Sequence, residues 1–207
     1  MEQQEFKNQL DALRSIITDG VAYFSAWRTI ANLNEDEAHA LNRYRGFFSP
    51  ARNSLRAMAL LQFAKVFDRD ARTISLCNLL SAAKDNPILF VPYAKEGDLE
   101  KLECKLNSNE QLLNHLKSYR DQRLAHHDQK VSKDTSLQFG IVRQLIEDVK
   151  DMHDALGTWH ERSTTSFDLL TYEAEQHTSD VKRIMCEELD RAKQKIQDTY
   201  RKIRKSD

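Results

Sequence analysis

An all-α fold is what this sequence predicts, and three observations predict it. Apolar residues recur at steps of three and four along most of the 207 residues, which is the period of one helix face. Five Gly and three Pro leave few places where a helix must stop. A balance of 40% apolar and 30% charged residues suits a soluble chain with one sizeable core, so a single helical domain over 1–207 is expected.

Phe6, Leu10, Leu13, Ile17, Val21, Phe24, Trp27 and Ala31 form one stripe, which predicts a helix of about eight turns with Gly20 as a weak point in its middle. Asn34 then caps a second helix whose first turn carries Glu35, Asp36 and Glu37, where carboxylates suit the helix dipole. Its face is Ala38, Leu41, Tyr44 and Phe48. Ser49-Pro50 reads as a boundary, because Ser caps well and Pro suits the first helical position. The helix after it, to about Asp68, is apolar on more than one side and is expected to be central and buried.

A shorter helix is predicted over 75–84. Between Pro87 and Pro92, Ile88-Leu89-Phe90-Val91 is read as an extended segment packed on the bundle, with a partner contact as the other reading. Another short helix is predicted over 98–106. Leu137, Ile141, Leu145, Val149, Met152, Leu156 and Trp159 trace one more long helix, 163–166 is a break, and a last helix runs from Phe167 towards Ile203, with His177-Thr178-Ser179 as a candidate interruption. Its basic residues, Arg191 to Lys205, interleave with acids at the spacing of an exposed face; an RNA-guiding arm is the other reading.

The stretch 108–128 carries the chemistry. Ser108 with Gln111 three residues on is a capping-box pattern, so a helix is expected to start near Asn109. Leu113, Leu116, Arg120, Leu124 and His127 share a face at helical spacing, which sets a guanidinium among apolar neighbours. A partly desolvated Arg needs an anion, either Asp121 or Asp128 or a phosphate from outside. Arg120-Asp121, then four residues, then His126, with Ala125 before the His and an acid soon after, resembles the active-site motif of the HEPN superfamily of helical ribonucleases. Phe67-Asp68-Arg69-Asp70, followed by Ser75-Leu76 and Leu79-Leu80, resembles the abortive-infection branch of that superfamily. The two stretches together span about residues 50 to 128.

The resemblance implies an all-α, HEPN-like up-and-down helical bundle, with a core at about 35–160, additional long N- and C-terminal helices, and a C-terminal extension over 164–207. It also implies an endoribonuclease of a toxin-antitoxin or phage-defence system, working as a homodimer whose two motifs line one cleft. An antitoxin or other neutralising protein is a further expected partner. The residue chemistry agrees: His exchanges protons near neutral pH, and the Arg fork donates two parallel hydrogen bonds to phosphate without losing its charge. One Arg and one His suffice for a transesterification that needs neither metal nor cofactor.

Which His serves is a geometric question. On a continued helix His127 returns to the face of Arg120; if the helix ends near Leu124, His126 turns back, and the family pattern points to His126. Asp128 could orient an imidazole, Asp121 could steady Arg120, and Arg123, Lys130 and Lys133 could hold neighbouring phosphates. Each residue also has a plainer reading: the His pair as a polar helix end, the three cations as a solvated loop. Asp68-Arg69-Asp70 reads either as a solvated terminus or as support beside Arg120. His39, His115, His153, His160 and His177 are assigned no chemistry. HEPN toxins controlled by nucleotidyltransferase antitoxins carry a Tyr two residues after the motif His; Asp128 stands there, so that control is not supported.

With 31 basic against 32 acidic residues the chain as a whole does not attract nucleic acid, so any phosphate-binding surface must be local. Cys77, Cys104 and Cys186 lack the spacing of a disulfide framework or zinc site. The opening residues lack the layout of a signal peptide, and the most apolar stretch, 57–67, is about half of a membrane span. A cytoplasmic protein without a membrane partner is expected. The rival to a nuclease is a non-catalytic HEPN-like bundle that binds RNA, a nucleotide or a protein; a plain helical scaffold is a third reading.

Overall fold

A computed structural model describes residues 1–119 and 139–203. Among them every regular element is a helix: α1 (Gln3–Ala31), α2 (Glu35–Asn42), α3 (Arg45–Val66), α4 (Leu76–Asp85), α5 (Pro87–Phe90), α6 (Asp98–Ser108), α7 (Glu110–Tyr119), α8 (Phe139–Glu161) and α9 (Asp168–Ile203). The all-α expectation therefore holds. None of these helices is long and apolar enough to cross a membrane.

The bundle is built around α1, which touches α3, α4, α5, α8 and α9. Its stripe of Phe6, Leu10, Leu13, Ile17, Val21, Phe24 and Trp27 is buried, each side chain contributing about 1.5–3 kcal/mol before chain entropy is counted. Gly20 has a more specific role than a weak point. A Cβ there would lie 3.1 Å from Phe63 Cζ and 3.2 Å from Gln62 Cβ, so the bare backbone lets α1 and α3 pack close.

Asn34 caps α2 as expected, accepting from Glu37 N at 2.9 Å while its own N–H donates to Glu37 Oε2 at 3.0 Å. The face drawn through Tyr44 and Phe48 is corrected, because α2 stops at Asn42 and Tyr44 begins a new helix. The boundary at Pro50 is also corrected. Pro50 lies inside α3, one turn past its start, and the carbonyl it leaves without a donor belongs to Gly46, which is exposed to water. Further along, Ala59, Leu60, Phe63 and Val66 are buried, as a central helix requires.

Residues 87–90 form a helical turn, not an extended segment: Asn86 Oδ1 accepts from Leu89 N, and Pro87 takes the first helical position. Phe90 and Val91 are buried while Ile88 is 87% exposed. The Phe90 ring stacks on Phe6 with centroids 5.0 Å apart, and its carbonyl accepts from His160 Nδ1 at 2.6 Å. In α8 the expected face is shifted slightly, since Ile141 is 47% exposed and Val142 replaces it in the core. Continuing α8 inward, His153 Nε2 donates to the Leu10 carbonyl at 3.1 Å. The two histidines tie α8 to elements far away in sequence.

Helix α9 runs through His177-Thr178-Ser179 without interruption, the Thr178 hydroxyl donating back to the Ala174 carbonyl at 2.6 Å. Its first half packs on α1 and α2, with Lys182 bound to Glu37 at 2.9 Å and Met185 and Leu189 against a small cluster of Ile30, Ala40 and Leu41. The later part is exposed, with Ile196 and Tyr200 in water and with intrahelical pairs such as Arg191–Glu188 and Arg201–Asp198.

Two outcomes follow from this packing. Gly20→Leu should lower the unfolding free energy in urea by about 1–3 kcal/mol through overpacking, whereas in Gly20→Ala a helix-propensity gain of about 1 kcal/mol should offset most of the strain. Burial lowers the pKa of His153 below its ordinary value of 6.5, against the opposing pull of the Leu10 carbonyl and Asp154. The unfolded chain then binds more protons there than the folded one, so stability should be complete above 6.5 and fall as pH drops below it. Urea midpoints measured across pH 7.5 to 5 should show that decline, and His153→Gln should flatten it.

Candidate active-site groove

Helix α7 lays its Leu116 into the core and leaves Glu110, Asn114 and Lys117 exposed, with the half-buried Leu113 between the two faces. Positions 110, 113, 114 and 117 fall on one side at helical spacing. Opposite them lie Ala64 and Phe67 at the end of α3 and the turn Asp68-Arg69-Asp70. The two walls enclose an open groove of about 390 Å³. Both sequence stretches that carry the family resemblance therefore approach the same groove: 67–70 forms one wall, and the described part of 108–128 forms the other.

The turn is rigid for local reasons. Asp68 Oδ1 accepts from Asp70 N, and the Asp70 carboxylate accepts from Arg72 N, Nε and Nη2, at 2.6 Å for the last. Those Arg72 contacts hold the Asp70 carboxyl below the usual aspartate range. The Asp70 carbonyl accepts from the Thr73 hydroxyl at 2.7 Å and from Asn78 Nδ2 at 2.8 Å, and the Asn78 amide also reaches the Thr73 carbonyl at 2.8 Å. Asn78 stands in the first turn of α4, where its backbone N–H donates to the Ser75 cap, so α4 clamps the wall in place.

The lower end of α7 is fixed differently from the capping box. Ser108 still belongs to α6, and its hydroxyl donates to the Lys105 carbonyl at 2.8 Å. The backbone instead steps from α6 into α7 at Asn109, whose amide donates to Lys105 O and to Asp148 Oδ2, both at 3.1 Å. Lys105 binds Asp148 at 3.1 Å and Asp151 at 2.7 Å. Burial works against the Lys105 charge, but Asp151 and Asp148 outweigh it and hold its pKa above the ordinary lysine value. For Asp148 burial is likewise overcome, by Asn109, Lys105 and Gln144 together, and its pKa is lowered. This cluster joins α6, α7 and α8 where α7 begins.

Arg69 Nη2 stands 3.8 Å from Glu110 Oε1 across the groove, a water-exposed pair. The lining holds Arg69 and Lys117 against Asp68, Asp70 and Glu110, so the described walls alone are not basic. Among the described residues no group of His, Cys, Asp and Glu is placed to cage a metal ion. Arg120, Asp121, Arg123, His126, His127, Asp128, Lys130 and Lys133 lie outside the described residues, and so does the expected contact of Asp68 or Arg69 with Arg120. Sequence reasoning missed Asn78, Asn109 and Asp148. Asn78 reaches main-chain carbonyls in the preceding turn, and Asn109 and Lys105 meet Asp148 from far off in sequence, contacts that follow no helical period or capping pattern.

Asp148→Ala should cost about 1–3 kcal/mol in urea unfolding, because it strips a partly buried Lys105 and Asn109 of a charged partner. Glu110→Ala should change stability by less than about 0.5 kcal/mol, because exposed pairs at such distances contribute little.

No curated protein and no solved structure matches this chain. The family model described as AbiU2, of the HEPN type, matches residues 3–183, which takes in α1 through α8 and the first part of α9. The chain belongs to the AbiU2 family of HEPN-type abortive-infection proteins, and its all-α bundle is the HEPN-like fold that family implies.

Proposed function

We propose that this abortive-infection protein is a metal-independent endoribonuclease in which Arg120 and His126 are the reacting pair. The observation that carries the reading is the shared groove: the 67–70 turn walls it on one side, and α7 walls it on the other. Arg120 is the next residue in the chain after the described end of α7.

In the reaction, His126 takes the proton from a ribose 2′-hydroxyl, and the resulting oxygen attacks the adjacent phosphorus. As that bond forms, the phosphorus–5′-oxygen bond breaks, the leaving oxygen takes a proton from solvent water, and the imidazolium of His126 returns its proton to solvent. Arg120 holds the equatorial oxygens, where charge grows in the transition state. Products are a 2′,3′-cyclic phosphate and a 5′-hydroxyl. Asp121 steadies Arg120, Asp128 orients the imidazole, and Arg123, Lys130 and Lys133 hold flanking phosphates. His127 is the alternative base.

Pairing of two copies supports this reading electrostatically. One groove carries three carboxylates against two cations among its described walls, so a second copy's Arg120 and Arg123 would supply charge that one copy lacks. A protein partner that neutralises the nuclease until infection, and a site of action in the cytoplasm, complete the proposal.

Arg120→Ala and His126→Ala should each reduce RNA cleavage by about 100-fold or more with the urea midpoint unchanged, and a chelator should have no effect on the wild type. His127→Ala decides between the two histidines. Cleavage that survives both of the first substitutions would reject Arg120 and His126 as the reacting pair, and a wild type that does not cleave RNA would reject the nuclease and leave a binding bundle.

A further inference from the structure

From position 38 through 67 the chain contains no Asp or Glu, although it has 32 of them in all. The same window holds Arg43, Arg45, Arg52, Arg56 and Lys65. In the fold, the first three stand exposed where α2 gives way to α3, and among the described residues none of them has an ion-pair partner. Arg56 is engaged over the Trp27 ring. Tyr44 and Phe47 project beside the three arginines, 44% and 70% exposed, and the Phe47 ring is braced edge-on by Phe48 at 5.2 Å. Next to them opens a cleft of about 510 Å³, lined by apolar Ile30, Leu33, Leu41 and Phe48 and by Arg45 and Arg52.

We infer that this junction is a binding surface for single-stranded nucleic acid, separate from the groove at the other end of α3. Three unpaired guanidinium groups meet phosphates, and exposed rings beside an apolar cleft meet bases, which is the combination that holds unpaired strands without reading their sequence. Arginine throughout, with no lysine among the three, fits planar recognition of phosphate and stacking on bases. A second copy of the chain does not fit here, because twofold pairing through this face would set six guanidinium groups together with no carboxylate from 38–67 to offset them. A bilayer does not fit either, since the apolar floor is concave and a flat surface cannot reach it. Helix α3, with 22 residues, puts about 30 Å between this surface and the 67–70 turn. The inference concerns binding alone and stands whether or not Arg120 and His126 cut RNA.

The test is fluorescence anisotropy of the full chain with a labelled 2′-O-methyl oligouridylate, a strand with no free 2′-hydroxyl to attack. The Arg43→Ala/Arg45→Ala/Arg52→Ala variant should bind about tenfold or more weakly and lose part of the salt dependence, and Phe47→Ala alone should weaken binding at least about fivefold. All four side chains are exposed, and an unchanged urea midpoint verifies the fold. An Arg191→Ala/Arg201→Ala variant on α9 should bind as the wild type does. The inference is overturned if the α3 variants bind normally, if the α9 variant loses as much, or if the wild type binds phosphatidylserine vesicles and not the oligonucleotide.

Discussion

The close approach of α1 and α3 at Gly20 is the contact on which the other helices depend. With only a hydrogen at that position, Phe63 and Gln62 come up against the backbone of α1, and the stripe from Phe6 to Trp27 is sealed on that side. The remaining flanks of α1 are then covered by α4, α8 and α9, so one helix serves as the axle of the bundle. Burial supplies the energy, and close packing decides which helices supply it.

Polar contacts do a different job. His160 to the Phe90 carbonyl, His153 to the Leu10 carbonyl and the Lys105–Asp148–Asp151 cluster each join segments distant in sequence. Burial makes the two histidine contacts directional, because a buried donor left unpaired is costly. Asn78 belongs with them: one side-chain amide spans two carbonyls and sets the angle of the turn that walls the groove. The groove is thus a product of packing behind it, with α4 fixing one wall and the Asn109–Asp148 contact fixing the start of the other.

The two ends of α3 differ in electrostatic character. At one end the groove mixes Arg69 and Lys117 with three carboxylates. At the other, arginines stand without acid beside exposed rings. A chain of near-zero net charge can hold such contrast because its acids are gathered elsewhere, many of them paired along α9.

By itself the sequence determined the helical class, the long first and last helices, the cap at Asn34 and the break at 163–166, because each rests on contacts within a few residues: apolar period, side-chain caps and helix-poor runs. It also carried the motif pair that marks the family. What the tertiary structure decided is where local signals competed. Pro50 reads as a helix start, yet α3 continues through it because Gly46 can be hydrated; Ser108 reads as a cap, yet its hydroxyl turns back while Asn109 finds Asp148. Residues 87–90 wind into a turn under Phe6 and His160, and the 67–70 turn meets α7 to make a groove. The hydration of Gly46 and the back-bond of Ser108 are local, but the other outcomes depend on partners tens of residues away, and no local pattern of residues encodes a partner at that distance.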